Sequence, residues 1–291
     1  MMLRTGYWRY AGRPGILRAG PHVLATLLMV AAALSCTAPS CMAETIGTGA
    51  IPILVYHRFD PVRRGPTTVT IAAFERQLDW LAAHRYRIVP LRQAVDILQD
   101  IAASDGPVAA ITADDGHVSV YTQLYPIILR RHVPVTLFLY PSAISRASYA
   151  LTWAQLAEML RSGLVSVQSH TYWHPNFRVE RARLAPDAYR TFIADQLARS
   201  KSVLAQHLAV PIDMLAWPFG IADPELCAAA RRAGYRAAFG YGGGAARPGV
   251  DPMDIPRIPM SDISMPGAIA EHPPAARLTT RLTTTPERAA P

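Results

Sequence analysis

Residues 107–116 read PVAAITADDG, and the rest of the chain is best interpreted outward from them. A run of small and branched apolar residues ends at Thr112 and leads into Asp114, Asp115 and Gly116, so we expect a buried strand with two carboxylates at its end. Asp-Asp-Gly is also favourable turn chemistry, and the pair taken alone fits a turn better than a site. The strand in front of it favours a site, because functional side chains gather at the carboxyl ends of strands in parallel α/β folds.

Short apolar strands alternate with helices on both sides of this stretch. We expect strands at 51–56, 87–89, 133–140, 165–167, 214–217 and 236–239. Apolar spacing and capping residues predict helices at 71–84, 91–103, 118–131, 152–161, 186–208 and 223–233. Repeated strand–helix units indicate an α/β fold, and we predict a distorted (β/α) barrel of about seven parallel strands, similar to a TIM barrel. A doubly wound open sheet is the alternative.

The first 43 residues are expected to precede the folded domain. Arginines without acids come before an apolar run from Val23 to Leu34, and small residues follow it up to Ala43. This order is typical of a secretory signal peptide cleaved after Ala43, and a run of about twelve apolar residues is short for a membrane span. We therefore predict an exported protein, periplasmic or extracellular. A retained segment that associates with the membrane, or a lipid anchor at Cys36, is the alternative.

The exported chain is expected to contain one domain and a tail. We assign 44–265 to the domain and 266–291 to a disordered tail, since the latter is rich in Pro, Ala, Thr and Arg without periodicity. Cys227 would be the single cysteine left after cleavage, so no internal disulfide can form. Its place on a predicted buried helix face indicates a structural thiol.

The composition argues against two classes of protein. Of the 291 residues, 51% are hydrophobic, which is too many for a chain disordered throughout. The formal net charge of +8 comes almost entirely from arginine, and Lys201 is the only lysine. Because no basic cluster is interleaved with aromatic residues, we expect no nucleic-acid partner.

Imidazoles follow predicted strands as well. His57 follows the first strand, and His170 and His174 follow the strand that begins at Val165. The i, i+4 spacing can direct both rings at one ion, and two His with one carboxylate are a common ligand set for a catalytic divalent metal. The spacing therefore indicates a metal site, although surface histidines also reach it by chance.

The residues at these strand ends resemble a known family. TADDG at 112–116 looks like the Thr-Phe-Asp-Asp-Gly motif of polysaccharide deacetylases (carbohydrate esterase family 4), and SHTYWHP at 169–175 is similar to that family's Ser-His-Thr-x-x-His-Pro. VYHRF at 55–59 most resembles the branch that deacetylates poly-β-1,6-N-acetylglucosamine of biofilm matrices, and so do Thr152-Trp153, Ser200-Lys201 and AWPFG at 216–220. The two motifs occur in the family's order, so together they are a specific signal.

The resemblance implies a hydrolase that acts on linear amide bonds, an N-deacetylase in which metal-activated water attacks the acetamide. By match to the family motifs, Asp114 is the general base, and Asp115, His170 and His174 are the metal ligands. The backbone amide of Phe219 would donate to the oxyanion. Zinc is the expected metal, with cobalt or nickel as the alternatives.

The chain departs from the family pattern in three respects. It lacks the C-terminal Leu-x-His that usually supplies the general acid, and His57 is the candidate for that role. Ala113 replaces the family's Phe, and Ala216-Trp217 stand where the family has an Arg that pairs with the base. Arg257 is the candidate for a substitute guanidinium.

Four residues are assigned to substrate binding: Tyr172, Trp173, Trp217 and Arg257. The three rings can stack on sugars, but core packing explains any one of them equally well. The predicted function is metal-dependent deacetylation of an exported N-acetylglucosamine polymer of the poly-β-1,6 type. Deacetylation of peptidoglycan or chitin oligomers is one alternative, and a non-catalytic carbohydrate-binding relative is another.

Overall fold

A computed structural model describes residues 49–265. The predicted signal peptide at 1–43 and the predicted tail at 266–291 lie outside the described residues and stay predictions. Among the helices of residues 49–265, none combines the length and the apolar character that crossing a membrane requires.

Ten strands lie along the described chain, in two sheets. In chain order they are β1 (Ile53–Tyr56), β2 (Arg58–Asp60), β3 (Thr68–Thr70), β4 (Arg87–Ile88), β5 (Val108–Asp114), β6 (Val135–Leu139), β7 (Val165–Ser169), β8 (Met214–Ala216), β9 (Ala237–Phe239) and β10 (Ile258–Pro259). Eight of them form a parallel sheet in the order β10-β1-β5-β6-β7-β8-β9, with β4 also paired to β5. The pair β2–β3 forms the second sheet.

The large sheet is curled into a distorted barrel. Its edge strands are β9 and β10, and an isolated parallel bridge joins Phe239 of β9 to Ile255, just before β10. The right-handed twist between neighbouring strands brings the two edges towards each other in this way. The predicted α/β fold with a barrel of about seven parallel strands is confirmed, and the open doubly wound sheet is not adopted.

Strand β5 runs through the core. All seven of its residues are buried, which explains why its first four residues, Val108 to Ile111, form a continuous apolar run. Its side chains point to opposite faces of the sheet, so Ala110 belongs to one hydrophobic cluster and Ile111 to another. The strand extends beyond the predicted end at Thr112, because Asp114 still pairs with Phe138 of β6.

Seven α-helices connect the strands of the described region. They are α1 (Ile71–Ala83), α2 (Leu91–Leu98), α3 (Tyr125–Arg131), α4 (Trp153–Arg161), α5 (Phe177–Arg183), α6 (Pro186–Leu208) and α7 (Pro224–Arg232). The N-cap predicted at Thr152 is confirmed: its hydroxyl accepts the N–H of Gln155 in a capping box. Helix α2 ends before the predicted residue 103, because Asp100 adopts a left-handed conformation with φ 56°.

The sequence analysis did not predict several short elements, among them α5, β2, β3 and β10. Strand β10 has only two residues and ends in Pro259, a residue that argues against a strand when it is met in a sequence. It forms because its residues pair with Leu54 and Val55 of β1. The predicted helix at 118–131 also differs, since a π-helical segment at Val120–Leu124 precedes α3.

Candidate metal centre

The carboxyl ends of the central strands bring the predicted site residues together. Asp114 is the last residue of β5, Asp115 follows it, and His170 follows β7 directly. A single 3₁₀ turn at Pro218–Gly220 comes shortly after β8, the next strand of the sheet. Because parallel strands end at one edge of the sheet, residues far apart in the chain converge there.

Asp115, His170 and His174 form one cluster of potential ligand atoms. Asp115 Oδ1 lies 3.6 Å from His170 Nε2 and 3.5 Å from His174 Nε2. Each residue offers one atom, and all three atoms lie within 4.8 Å of one another. These separations are long for hydrogen bonds. They suit atoms that share an ion, since ligands about 2 Å from a tetrahedral zinc are about 3.3 Å apart.

The chemistry of the cluster fits a divalent cation. Asp115 Oδ1 is buried and has no hydrogen-bond partner among the described residues, a cost that a cation would remove. His170 Nδ1 lies 2.8 Å from the carbonyl oxygen of Ala216, so it donates there and leaves the Nε2 lone pair facing Asp115. Burial lowers the pKa of His170 to about 3 and also lowers the pKa of His174, so both rings are neutral at pH 7, as metal ligation requires.

Asp114 is held by a buried guanidinium. Arg257 Nη1 and Nη2 donate to its two carboxylate oxygens at 2.8 and 2.7 Å. The same guanidinium donates from Nε to Gly240 O at 2.9 Å and from Nη1 to Thr112 Oγ1 at 3.1 Å, so its orientation is fixed. Burial by itself raises the pKa of the Asp114 carboxyl. Arg257 and the nearby imidazoles lower this pKa by more than burial raises it, and the net value is about 2. Asp114 is therefore an oriented carboxylate at neutral pH, and its Oδ2 lies 3.9 Å from His170 Nε2.

His57 and Phe219 lie near the cluster. His57 follows β1 and is half-buried, with its ring edge-to-face against Tyr241 at 5.8 Å between centroids. A positive charge on His57 would lower the pKa of both Asp114 and Asp115, so the ring lies within electrostatic reach of the two carboxylates. Phe219 has φ 57° and is 61% exposed, with its ring 4.7 Å from that of His174.

Two predicted substrate-binding residues are buried, and both predictions are wrong. Trp217 is 1% exposed; its Nε1 donates to Met253 O at 2.9 Å and its ring packs edge-to-face on Phe177, so it belongs to the core and cannot stack on a sugar. Arg257 is fully buried and is bound to Asp114, so it cannot reach a substrate. Arg257 pairs instead with Asp114. In the family that pairing is made by an Arg which this sequence lacks.

The other two predicted substrate-binding residues lie beside the cluster. The Arg199 guanidinium lies 3.9 Å from the centre of the half-buried Tyr172 ring. Trp173 is 42% exposed and contacts Phe192 edge-to-face at 6.0 Å. No contact described here joins either ring to Asp115, so their assignment to substrate binding stays a prediction.

Two tyrosines at the site were missed by the sequence interpretation. The ring of Tyr140 lies 5.4 Å from that of His174, and its hydroxyl is 3.0 Å from the hydroxyl of Tyr149. Tyr140 follows β6 directly, so the strand-end rule that selected the aspartates could have selected it too. Tyr241, which packs on His57, lies in a glycine-rich loop and carried no such signal.

The curled parallel barrel and the carboxylate–imidazole cluster at its edge define a class of protein, a parallel α/β barrel with an Asp-His-His set able to hold a divalent metal. Residues 102–238 match the family described as polysaccharide deacetylase, so the chain carries a domain of that family. It is a hydrolase of N-acetyl amide bonds in polysaccharides. His57 and Arg257 lie outside the matched residues.

Named relatives and solved structures agree with this family. The poly-beta-1,6-N-acetyl-D-glucosamine N-deacetylase of Staphylococcus epidermidis is 25% identical over 209 residues, which cover 70% of this chain and 72% of the relative. The structure of IcaB from Ammonifex degensii superposes with a TM-score of 0.65 and 27% identity, over 73% of this chain and 92% of that one. The Streptococcus pyogenes deacetylase PplD superposes with a TM-score of 0.67 over 76% and 97% of the two chains, and its 21% identity supports the fold alone.

Proposed function

We propose that this polysaccharide deacetylase acts on an exported N-acetylglucosamine polymer of the poly-β-1,6 type and depends on a divalent metal held by Asp115, His170 and His174. The observation that carries the proposal is the convergence of these three ligand atoms within 4.8 Å, next to the Asp114 carboxylate. Two imidazoles and one carboxylate suit zinc best, with cobalt or nickel as the alternatives.

The polymer is proposed from similarity and from the predicted export. Two of the similar proteins carry the names poly-beta-1,6-N-acetyl-D-glucosamine N-deacetylase and IcaB. The predicted signal peptide at 1–43 would bring the enzyme to the compartment where such a polymer is exposed. Peptidoglycan and chitin oligomers share the acetamide group, so they are the substrates to compare with it.

Each reaction role falls on a group whose surroundings suit it. When bound, the metal supplies Lewis-acid polarisation of the acetamide carbonyl and lowers the pKa of water. Asp114, ionised and oriented by Arg257, takes the proton of the attacking water. The amide of Phe219 donates to the oxyanion of the tetrahedral intermediate. His57, beside both aspartates, gives a proton to the nitrogen of the leaving glucosamine.

The test is acetate release from poly-β-1,6-N-acetylglucosamine oligomers by the purified protein, with and without chelator. We expect release that the chelator stops and added Zn²⁺ restores. Release that persists after complete metal removal would contradict the metal dependence. Release from peptidoglycan or chitin oligomers alone would change the substrate, and binding of oligomers with no release under any divalent metal would favour a carbohydrate-binding protein.

A further inference from the structure

The turn that carries the two imidazoles is held in a strained conformation. Residues 169–174 connect β7 to the segment before α5, and they include His170 and His174. Thr171 has φ 64° and His174 has φ 66°, both in the left-handed region. A β-branched residue such as Thr171 is uncommon there, and such conformations persist only where the surroundings over-determine them.

Helix α6, which packs against β7, supplies two buried polar side chains to this turn. Ser200 Oγ lies 2.8 Å from Ser169 Oγ, and Ser169 Oγ accepts the backbone N–H of Thr171 at 3.2 Å. One helical turn earlier, Gln196 Oε1 accepts the backbone N–H of Trp173, also at 3.2 Å. Both side chains of α6 therefore reach the backbone between the two imidazoles, one directly and one through Ser169.

The turn continues this connection to the second imidazole. Thr171 Oγ1 accepts the backbone N–H of His174 at 3.2 Å. A line of hydrogen bonds thus runs from Ser200 through Ser169 and Thr171 to His174. His170 lies between Ser169 and Thr171 in the chain, so a shift of either residue moves its ring as well.

Helix packing alone does not require these polar groups. The rest of the buried face of α6 is largely apolar, and a hydroxyl or an amide placed there costs free energy unless it is hydrogen-bonded. The side-chain hydrogen bond described for Gln196 goes to the Trp173 N–H, and the one described for Ser200 goes to Ser169, the first residue of the turn. An apolar side chain at position 196 would leave the Trp173 N–H without this acceptor, and one at position 200 would remove the hydrogen-bond partner of Ser169 Oγ.

We propose that Gln196 and Ser200 are positioning residues that set the affinity and the geometry of the metal site through the turn 169–174. The inference rests on the metal site of the proposed function. It assigns this role to two residues whose side-chain hydrogen bonds go to Ser169 and to the Trp173 N–H rather than to a proposed ligand side chain. Gln196 lies outside every sequence motif considered above, and Ser200 belongs to the Ser200-Lys201 pair that carries part of the family resemblance.

The test uses the full chain and three variants. Gln196→Met keeps the length of the side chain but loses the acceptor oxygen, and Ser200→Ala loses the hydroxyl. We expect each to weaken Zn²⁺ binding about 10- to 100-fold, as losses around metal ligands generally do, and to change the visible absorption spectrum of bound Co²⁺. Gln196→Glu restores an acceptor oxygen for the Trp173 N–H, and we expect it to recover most of the affinity and the wild-type Co²⁺ spectrum.

Leu204→Ala is the matched control, because Leu204 is fully buried on the same helix and no hydrogen bond joins it to the turn. We expect it to lower the unfolding midpoint as much as the other variants or more, with an unchanged Zn²⁺ dissociation constant. If Leu204→Ala weakens Zn²⁺ binding to the same extent, the role of α6 is merely structural and the inference is wrong. Should Gln196→Met fail to fold, Ser200→Ala and the control decide alone.

The outcomes separate this inference from the proposed function. A wild-type protein that binds Zn²⁺ but releases no acetate contradicts the proposed reaction and leaves the positioning role open to the same measurement. A wild-type protein that binds no Zn²⁺, Co²⁺ or Ni²⁺ overturns the positioning role itself. Unchanged Zn²⁺ affinity and Co²⁺ spectra in both Gln196→Met and Ser200→Ala overturn it as well.

Discussion

The site has a buried half and an open half, although each half takes one residue from each of the two motifs. The side chains of Asp114 and His170 are 2% exposed, whereas those of Asp115 and His174 are 24% and 22% exposed. The backbone makes this difference: Asp114 still belongs to β5, while Asp115 turns away with φ 71°.

The two halves use the same side-chain types in different ways. In the buried half, Arg257 takes both oxygens of Asp114 and lowers its pKa to about 2, against the effect of burial. In the open half, Asp115 has a buried oxygen that finds no hydrogen-bond partner within residues 49–265, and burial raises the pKa of this carboxyl. The surroundings therefore suit the adjacent carboxylates to separate tasks: Asp114 is kept ionised by a fixed cation, and Asp115 is the one that binds the metal in the proposed function.

Removing the carboxylate of the open half should have the largest effect. In Asp115→Ala the cluster loses the oxygen that faces both imidazoles. We expect Zn²⁺ binding and acetate release to fall together, the latter by about 1,000-fold or more. Asp187→Asn, at a side chain 94% exposed on α6, is the control and should match wild type in both assays. An Asp115→Ala protein with full activity would exclude the proposed metal site.

The carboxylate of the buried half should separate metal binding from turnover. In Asp114→Asn the shape is kept but the proton acceptor is lost, so we expect acetate release to fall about 100- to 10,000-fold. The Zn²⁺ dissociation constant should stay close to wild type, because Asp115 and the imidazoles are retained. If this variant loses Zn²⁺ as completely as Asp115→Ala does, the two carboxylates share one task and the division proposed here is wrong.

Removing Arg257, the cation of the buried half, should mainly lower the free energy of unfolding. Arg257→Met leaves Asp114 buried without its counter-ion, and breaking a buried pair in this way costs about 3–5 kcal/mol. Arg231→Met is the control, since its pair with Asp251 is half-exposed and such pairs contribute about 0–1 kcal/mol. Urea unfolding measures the loss of unfolding free energy in each of the two variants relative to wild type. Equal losses would mean that Arg257 contributes no more than a surface arginine.

A smaller effect should come from the turn beside His174. Gly220 has φ 63°, and a Cβ there would lie 2.7 Å from the backbone nitrogen of Tyr241, so Gly220→Ala must shift the turn that presents the Phe219 amide. We expect kcat to fall about 10- to 100-fold, as small misplacements in active sites do.

Gly163→Ala is the control for that variant. Gly163 also has a positive φ, 71°, but nothing lies within 4 Å of its added Cβ. It should share the backbone penalty, measured as a lower unfolding midpoint, and keep kcat. If both variants keep kcat, the position of the Phe219 turn is unimportant for the reaction.

Local patterns were enough to predict the barrel and most of the site. A strand buried on both faces needs a continuous apolar run, and parallel strands collect their carboxyl ends at one edge, so the order of strands and helices located Asp114, Asp115 and His170 together. The i, i+4 spacing added His174, and capping chemistry located the start of α4. Each of these signals lies within a few residues of the feature it predicts.

Contacts between distant segments were decided only by the tertiary structure. Arg257 lies 143 positions from Asp114, and it reaches that carboxylate because β10, too short and too rich in proline to be predicted, pairs with β1. Trp217 follows a strand directly, as His170 does, yet its indole N–H donates to Met253 O in the core. Sequence spacing reports which residues share a strand end or a helix face, whereas burial and ion pairing depend on which segments fold against each other, and that information is not local.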